Sequence, residues 1–391
     1  MLRTGLVLGL LALVGPFAID MYLPAMPRIA GEFSTPETSV QMTLTAYFLA
    51  FGIAQLVYGP LADRLGRRLP ILAGLVIFAL GSAGAALSPS VEALAGWRFL
   101  QGLGGAALMV VPRAIVRDMY TGHQATQLMA MIMLVISVSP MLAPLAGSAV
   151  IALAGWRDIF WILSGAAVLS ILLTIFLQPE TLPLDQRRSM KLGQMLRNAR
   201  GLLADPQFMG LTLMGGFGMA SFFVFIASAP FVYTQAFGLS PTGFSLAFAV
   251  NAIGFFSASQ AASTLGRWMG MERLVRTGVV GFAFFSLALV PLGMAGLATL
   301  PVVMAGLFLA NACLGVVIPT AMVLALDDHG EVAGLASSLG GTLQMLAGGI
   351  MIAAAGPFFD GSVLPMLAAI GFCGAAALLL SLLLRPRRQL A

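Results

Sequence analysis

The chain has 391 residues, of which 59% are hydrophobic and only 9% charged. Water-soluble domains are about a quarter charged, so this composition excludes a soluble fold and calls for a bilayer as the surrounding solvent. The formal net charge of +5 does not point to nucleic acid, because the basic residues sort into alternate loops instead of forming one patch.

A spanning helix needs about 20 apolar residues. Hydropathy breaks at loop signals predict twelve such helices, at 5–29, 39–62, 70–88, 92–116, 126–152, 158–178, 207–236, 242–264, 275–296, 299–325, 332–356 and 362–384. The fold class is therefore all-α integral membrane. The first span follows Arg3 as a secretory signal would, but no small-residue cleavage site leads into a polar segment, so it is read as retained. Near its far end stands Asp20, the only carboxylate placed well inside a span. An intramembrane acid is expensive and is read as functional by default.

Between the second and third spans, GPLADRLGRR (Gly59 to Arg68) gathers Asp63, Arg64, Arg67 and Arg68. Asp63 is expected to accept from backbone N–H groups at a helix start, and Gly66 to let backbones approach. The fourth span carries Arg98 and Arg113. At about 1.5 Å per residue, Asp20 lies roughly 22 Å from one face and Arg98 about 8 Å from the other, the same level in a slab about 30 Å thick. Arg98 is therefore the expected partner of Asp20. Arg113 follows about 60° round the same helix and roughly 22 Å along it, so both arginines can look into one cavity. The fifth span contains SPMLAPLAGS (Ser139 to Ser148), where Pro140, Pro144 and Gly147 should thin and bend the helix.

The segment 179–206 is the one long polar connection and divides the spans six and six. The domains are thus 1–178, a linker at 179–206, and 207–391. Leu65-Gly66-Arg67 recurs as Leu265-Gly266-Arg267 after another even-numbered span, as two parallel repeats would produce. Arg3, Arg64, Arg67, Arg68, Arg117, Arg187, Arg188, Lys191, Arg197, Arg200, Arg267, Arg273, Arg276, Arg385, Arg387 and Arg388 all fall on one side, against Arg28 and Arg157 on the other. The positive-inside rule then places both termini in the cytosol. His123 and His329 both sit in loops of that side, so no histidine relay crosses the membrane, and Cys313 and Cys373 suit packing more than a disulfide framework.

GPLADRLGRR resembles the loop between the second and third spans of the major facilitator superfamily. RFLQGLGG (Arg98 to Gly105), extended by RAIVRDMY (Arg113 to Tyr120), resembles the fourth-span arginine motif of its proton-coupled members. SPMLAPLAGS resembles the motif associated with antiporters, although Ala143 and Ser148 stand where glycines are usual. FAIDMYLPAMP (Phe17 to Pro27), SAPFVY (Ser228 to Tyr233) and GLASSLGG (Gly334 to Gly341) look like the Bcr/CflA group of drug exporters. The resemblance spans essentially the whole chain.

It implies two six-helix bundles and proton-driven export of small drug-like molecules, of bicyclomycin or amphenicol type, across the bacterial inner membrane by alternating access. Under that resemblance Asp20 and Arg98 couple protons, while Asp63, Gly66, Arg67, Arg68, Pro140, Pro144 and Gly147 serve the conformational change. A midplane cavity is expected to be lined by Asp20, Tyr47, Arg98, Arg113, Phe222, Phe225, Asn251 and Asn311, because aromatics stack on drug rings and amides supply directional contacts. Other drug exporters of the superfamily often carry a second acid two turns earlier. Here that place is Ala12, which implies a single coupling carboxylate and a preference for neutral substrates over strong cations.

Protons are the expected coupling ion, with no cofactor or metal. The expected partners are a small-molecule substrate and the lipid bilayer, without nucleic acid, for a monomer. The alternative is a proton symporter that imports a sugar or an amino acid. A membrane enzyme finds no HExxH or nucleophile–base pair, and a passive channel finds no polar rings along the spans.

Overall fold

The computed structural model describes residues 2–120, 122–187 and 192–384. Arg188, Lys191, Arg385, Arg387 and Arg388 lie outside the described residues, as do the side chains of Arg3 and His123. The described chain forms fourteen α-helices: α1 Leu2–Asp20, α2 Met26–Glu32, α3 Glu37–Leu65, α4 Arg68–Ala86, α5 Val91–Met119, α6 Gly122–Leu153, α7 Trp156–Leu177, α8 Leu192–Ala204, α9 Pro206–Phe231, α10 Pro241–Met269, α11 Met271–Met294, α12 Leu300–Asp327, α13 Ala333–Ala355 and α14 Val363–Leu383. Among the described residues, twelve stretches are long and apolar enough to cross a membrane, and each overlaps one expected span. Large apolar side chains remain exposed on their outer faces, such as Leu172, Phe284 and Leu379, as a hydrocarbon solvent permits.

Three expectations are corrected. The first span is two helices separated by a break after Asp20. The ten-residue loop at 59–68 is mostly helix, because α3 runs to Leu65 and α4 starts at Arg68, leaving only Gly66 and Arg67 as a turn. The second Leu-Gly-Arg is not a copy of that turn. Leu265, Gly266 and Arg267 lie inside α10, and the chain reverses at Gly270, where φ is +84°. The polar segment after α7 also holds α8, whose Met195, Asn198, Ala199 and Leu202 line its covered side at helical spacing.

The chain divides into two compact units, one formed by 1–191 with 239–248 and the other by 192–238 with 249–391. In the first, α1 packs on α5, α6 and α7, and α4 on α5 and α7. In the second, α9 packs on α12, α13 and α14, and α11 on α12 and α14. Matching α1 to α9 and counting onward through the spanning helices, the same five pairings recur, so the internal repeat survives in the packing.

Candidate functional site

The break after Asp20 has a simple origin. Pro24 follows Asp20 by four residues and Pro27 follows Leu23 by four, so neither carbonyl finds the N–H that would continue the helix. Met21 N–H still reaches Phe17 O (3.0 Å), but Tyr22 N–H turns to Ile19 O (3.3 Å), and a 3-10 turn at Leu23–Ala25 leads into α2. The carbonyl of Ala18 is thereby released, and Arg98 Nη1 donates to it at 2.9 Å. The Asp20 side chain is 5% exposed, and Ser139 Oγ on α6 donates to its Oδ2 at 3.3 Å.

The helix α6 continues through Pro140 and Pro144 without interruption. Gly147 lies two turns beyond Ser139, and a Cβ there would strike the backbone of Met21. Only glycine lets α6 rest directly on the broken segment, so Ser139 and Gly147 together hold the two sides of the break. The carbonyl of Pro144 accepts from Ser245 Oγ at 3.0 Å, and the Ser148 and Ser245 hydroxyls lie 2.8 Å apart within the first unit.

Arg98 is fully buried. Its guanidinium carbon lies 4.5 Å from the centroid of Tyr47, 4.7 Å from that of Tyr22 and 5.8 Å from that of Phe160. Nη1 also donates to Gln101 Oε1 at 2.5 Å, and Gln101 Nε2 donates to Ser82 Oγ at 2.7 Å. Aromatic faces stabilise a desolvated cation by about 2 kcal/mol each. Arg98 and Asp20 therefore share one level, yet among the described residues no ion pair within 4.0 Å joins them. The expected direct partnership is replaced by an aromatic cage around the cation and a hydroxyl on the acid, and Arg98 Nε and Nη2 are buried without hydrogen-bond partners. Arg113 lies fifteen residues further along α5, with a buried Nε also lacking a partner.

In the second unit, Asn311 Nδ2 on α12 donates to Asn251 Oδ1 on α10 at 3.4 Å, and both residues are buried. Phe225 meets Tyr233 edge-on at 6.3 Å, and Phe222 stacks on Phe255 at 5.5 Å. The structure thus groups Asp20, Arg98 and Tyr47 in one unit and Phe225, Asn251 and Asn311 in the other.

The charged turn between α3 and α4 is a built network. Arg67 donates to Asp63 Oδ1 at 2.6 Å and to Asp118 Oδ2 at 2.7 Å. Burial opposes its charge, but the two carboxylates outweigh that and raise its pKa above the ordinary value. The backbone N–H groups at the start of α4 are not taken by Asp63, as expected, but by Glu180. Arg67 N–H donates to its Oε1 at 2.8 Å and Arg68 N–H to its Oε2 at 3.2 Å. Arg68 Nη2 donates to Ile175 O at 2.6 Å, and Thr181 Oγ1 to Asp118 Oδ2 at 3.2 Å. At Gly66, φ is +92°, a backbone region that favours glycine, and an added Cβ would displace the ends of the Glu180 and Arg187 side chains. The network ties the ends of α3, α4 and α5 to the segment after α7.

Several of these residues lack a local signal. Glu180, Ser139 and Gln101 are ordinary residues whose roles depend on distant neighbours. Tyr22 was open to detection, since a tyrosine two residues after an intramembrane acid and just before Leu-Pro marks a helix end.

A profile described as "Major Facilitator Superfamily" matches residues 8–353. An uncharacterized MFS-type transporter, YdgK, of Bacillus subtilis is 37% identical over 354 residues, 90% of this chain and 87% of its own. A bicyclomycin resistance protein homolog of Haemophilus influenzae is 29% identical across 94% of this chain and 92% of its own. A chloramphenicol resistance protein of Pseudomonas aeruginosa is 34% identical across 71% of this chain and 65% of its own.

Proposed function

The chain belongs to the major facilitator superfamily, and on that premise we propose that it exports small, drug-like molecules of the bicyclomycin or amphenicol type in exchange for protons. It acts as a transporter without catalysis, in a bacterial inner membrane, as a monomer with both termini in the cytosol. The relatives whose names concern bicyclomycin and chloramphenicol resistance support the substrate class.

The observation that carries the coupling reading is the broken end of α1. A buried carboxylate with one hydroxyl donor faces the level of a buried guanidinium that keeps two donors unspent. Proton loss from Asp20 creates a charge in a low-dielectric site, and that charge is tolerated when Arg98 turns its free donors toward it. A polar substrate that donates a hydrogen bond to the carboxylate favours its charged form, so substrate entry promotes proton release, and reprotonation of Asp20 from the opposite side withdraws that acceptor and releases the substrate. The Asp63–Arg67–Asp118 network, with Glu180, then stabilises the state in which the helix ends at that side are closed.

The test is growth of a pump-deficient bacterium expressing the chain on an antibiotic panel. Wild type should raise the tolerated dose of bicyclomycin or an amphenicol, and Asp20→Asn should return it to the vector level at equal expression. An Asp20→Asn strain as resistant as wild type would refute the coupling role.

A further inference from the structure

Among the described residues, one hydrogen bond reaches the Asp20 carboxylate, and its donor stands on another helix. Ser139 Oγ on α6 lies 3.3 Å from Asp20 Oδ2, and the serine is fully buried. A serine inside a helix commonly spends its proton on the carbonyl four residues back. Ser82, Ser137, Ser170 and Ser286 all do so, at 2.7–2.8 Å. Ser139 leaves the Val135 carbonyl and donates to the acid instead. Gly147, two turns on, lets α6 rest against the Met21 backbone, which holds the hydroxyl at the break.

No other group around the acid donates to it. Arg98 of α5 donates to the Ala18 carbonyl and to Gln101. Tyr47 of α3 donates to the Gly15 carbonyl at 3.4 Å, and the Tyr22 hydroxyl pairs with Thr43 at 2.7 Å. Of the other helices packed on α1, α6 from 124 to 153 and α7 from 159 to 177 contain no titratable side chain, and Arg157 and Asp158 stand at the start of α7. A hydroxyl that donates to a carboxylate favours its charged form. Resting on the coupling role proposed for Asp20, we propose that Ser139 is a positioning residue for proton coupling: its hydroxyl eases proton loss from the acid and so sets the pH at which drug drives release. Because donor and acceptor belong to different helices, this help is given only while α6 lies against the broken end of α1.

The test is the pH profile of proton release from everted vesicles on addition of bicyclomycin or chloramphenicol, with the full chain at equal folded amounts. Without the donor the proton is held more tightly, so Ser139→Ala should move the half-maximal pH upward by about one unit, the worth of one hydrogen bond to a charged acceptor. Ser137→Ala, which removes a hydroxyl bonded only to its own helix, should keep the wild-type profile. Should Ser139→Ala fold poorly, Ser139→Cys carries the test, because a thiol is a weak donor and should give a smaller shift in the same direction. An unshifted midpoint in the folded Ser139 variants overturns the proposal, as does a lower amplitude at the same midpoint or an equal shift in Ser137→Ala. Asp20→Asn vesicles run alongside separate the two levels: silence there with an unshifted Ser139→Ala profile removes the role of Ser139 alone, whereas wild-type release there removes the coupling reading and this inference with it.

Discussion

Replacing Glu180 by glutamine tests the turn that joins α3 to α4. The carboxylate accepts from the backbone N–H groups of Arg67, Arg68, Thr181 and Leu182, with its side chain 29% exposed. An amide keeps one acceptor oxygen and turns an –NH2 toward one of the N–H groups at the start of α4. A hydrogen bond to a charged group contributes about 1.5–3 kcal/mol, and negative charge at a helix start about 0.3–1 kcal/mol. With partial solvent access, a net loss of about 1–3 kcal/mol follows, or a melting temperature lower by roughly 1–4 °C for a chain of this length. Burial pushes the Glu180 carboxyl up, but its backbone donors outweigh it and hold the pKa below the ordinary value. The stabilisation is therefore fully present above the unfolded pKa of about 4.3 and disappears as pH falls through the lower folded pKa. Thermal unfolding by intrinsic fluorescence should show a constant gap between wild type and Glu180→Gln near neutral pH, closing on strong acidification. A variant as stable as wild type at neutral pH, or a gap that widens in acid, would refute the assignment.

Three further substitutions probe the site. Tyr47→Leu should lower stability by about 1–2 kcal/mol through loss of the ring beside Arg98, whereas Tyr47→Phe keeps the ring and should stay close to wild type in melting experiments. Gly147→Ala should abolish drug efflux and lower the melting temperature, because its Cβ meets the Met21 backbone; Gly9→Ala, with an ordinary contact at 3.7 Å, should change neither. Asn311→Leu removes a donor from buried Asn251 and should cost about 1–2 kcal/mol, while the Asn251→Leu/Asn311→Leu double variant should cost less than the sum of the single changes.

The spans were legible because lipid demands long unbroken apolar runs, and each run announces itself without reference to any neighbour. Counting rise along a helix also gives height, which is why Asp20 and Arg98 could be matched in level from the chain alone. Height does not give direction around the helix axis. Arg98 points at Tyr22, Tyr47 and the Ala18 carbonyl instead of the carboxylate, and no count along one helix could show that. The break after Asp20 was written in Pro24 and Pro27, but hydropathy averaged over a window smooths two prolines away. Glu180 was invisible for another reason: its partners lie 112 and 113 residues earlier, so nothing local marks it as the acceptor at the start of α4. The repeated Leu-Gly-Arg misled at the level of the turn, because three residues do not specify where a helix ends when Gly270 offers a better reversal four residues later.

The most direct test of proton-coupled export through Asp20 is proton movement on addition of bicyclomycin or chloramphenicol to everted membrane vesicles holding an established pH gradient. Wild-type vesicles should release protons in proportion to drug added, and Asp20→Asn vesicles with the same amount of folded protein should release none. Equal drug-driven release from both would contradict the coupling role of the buried carboxylate.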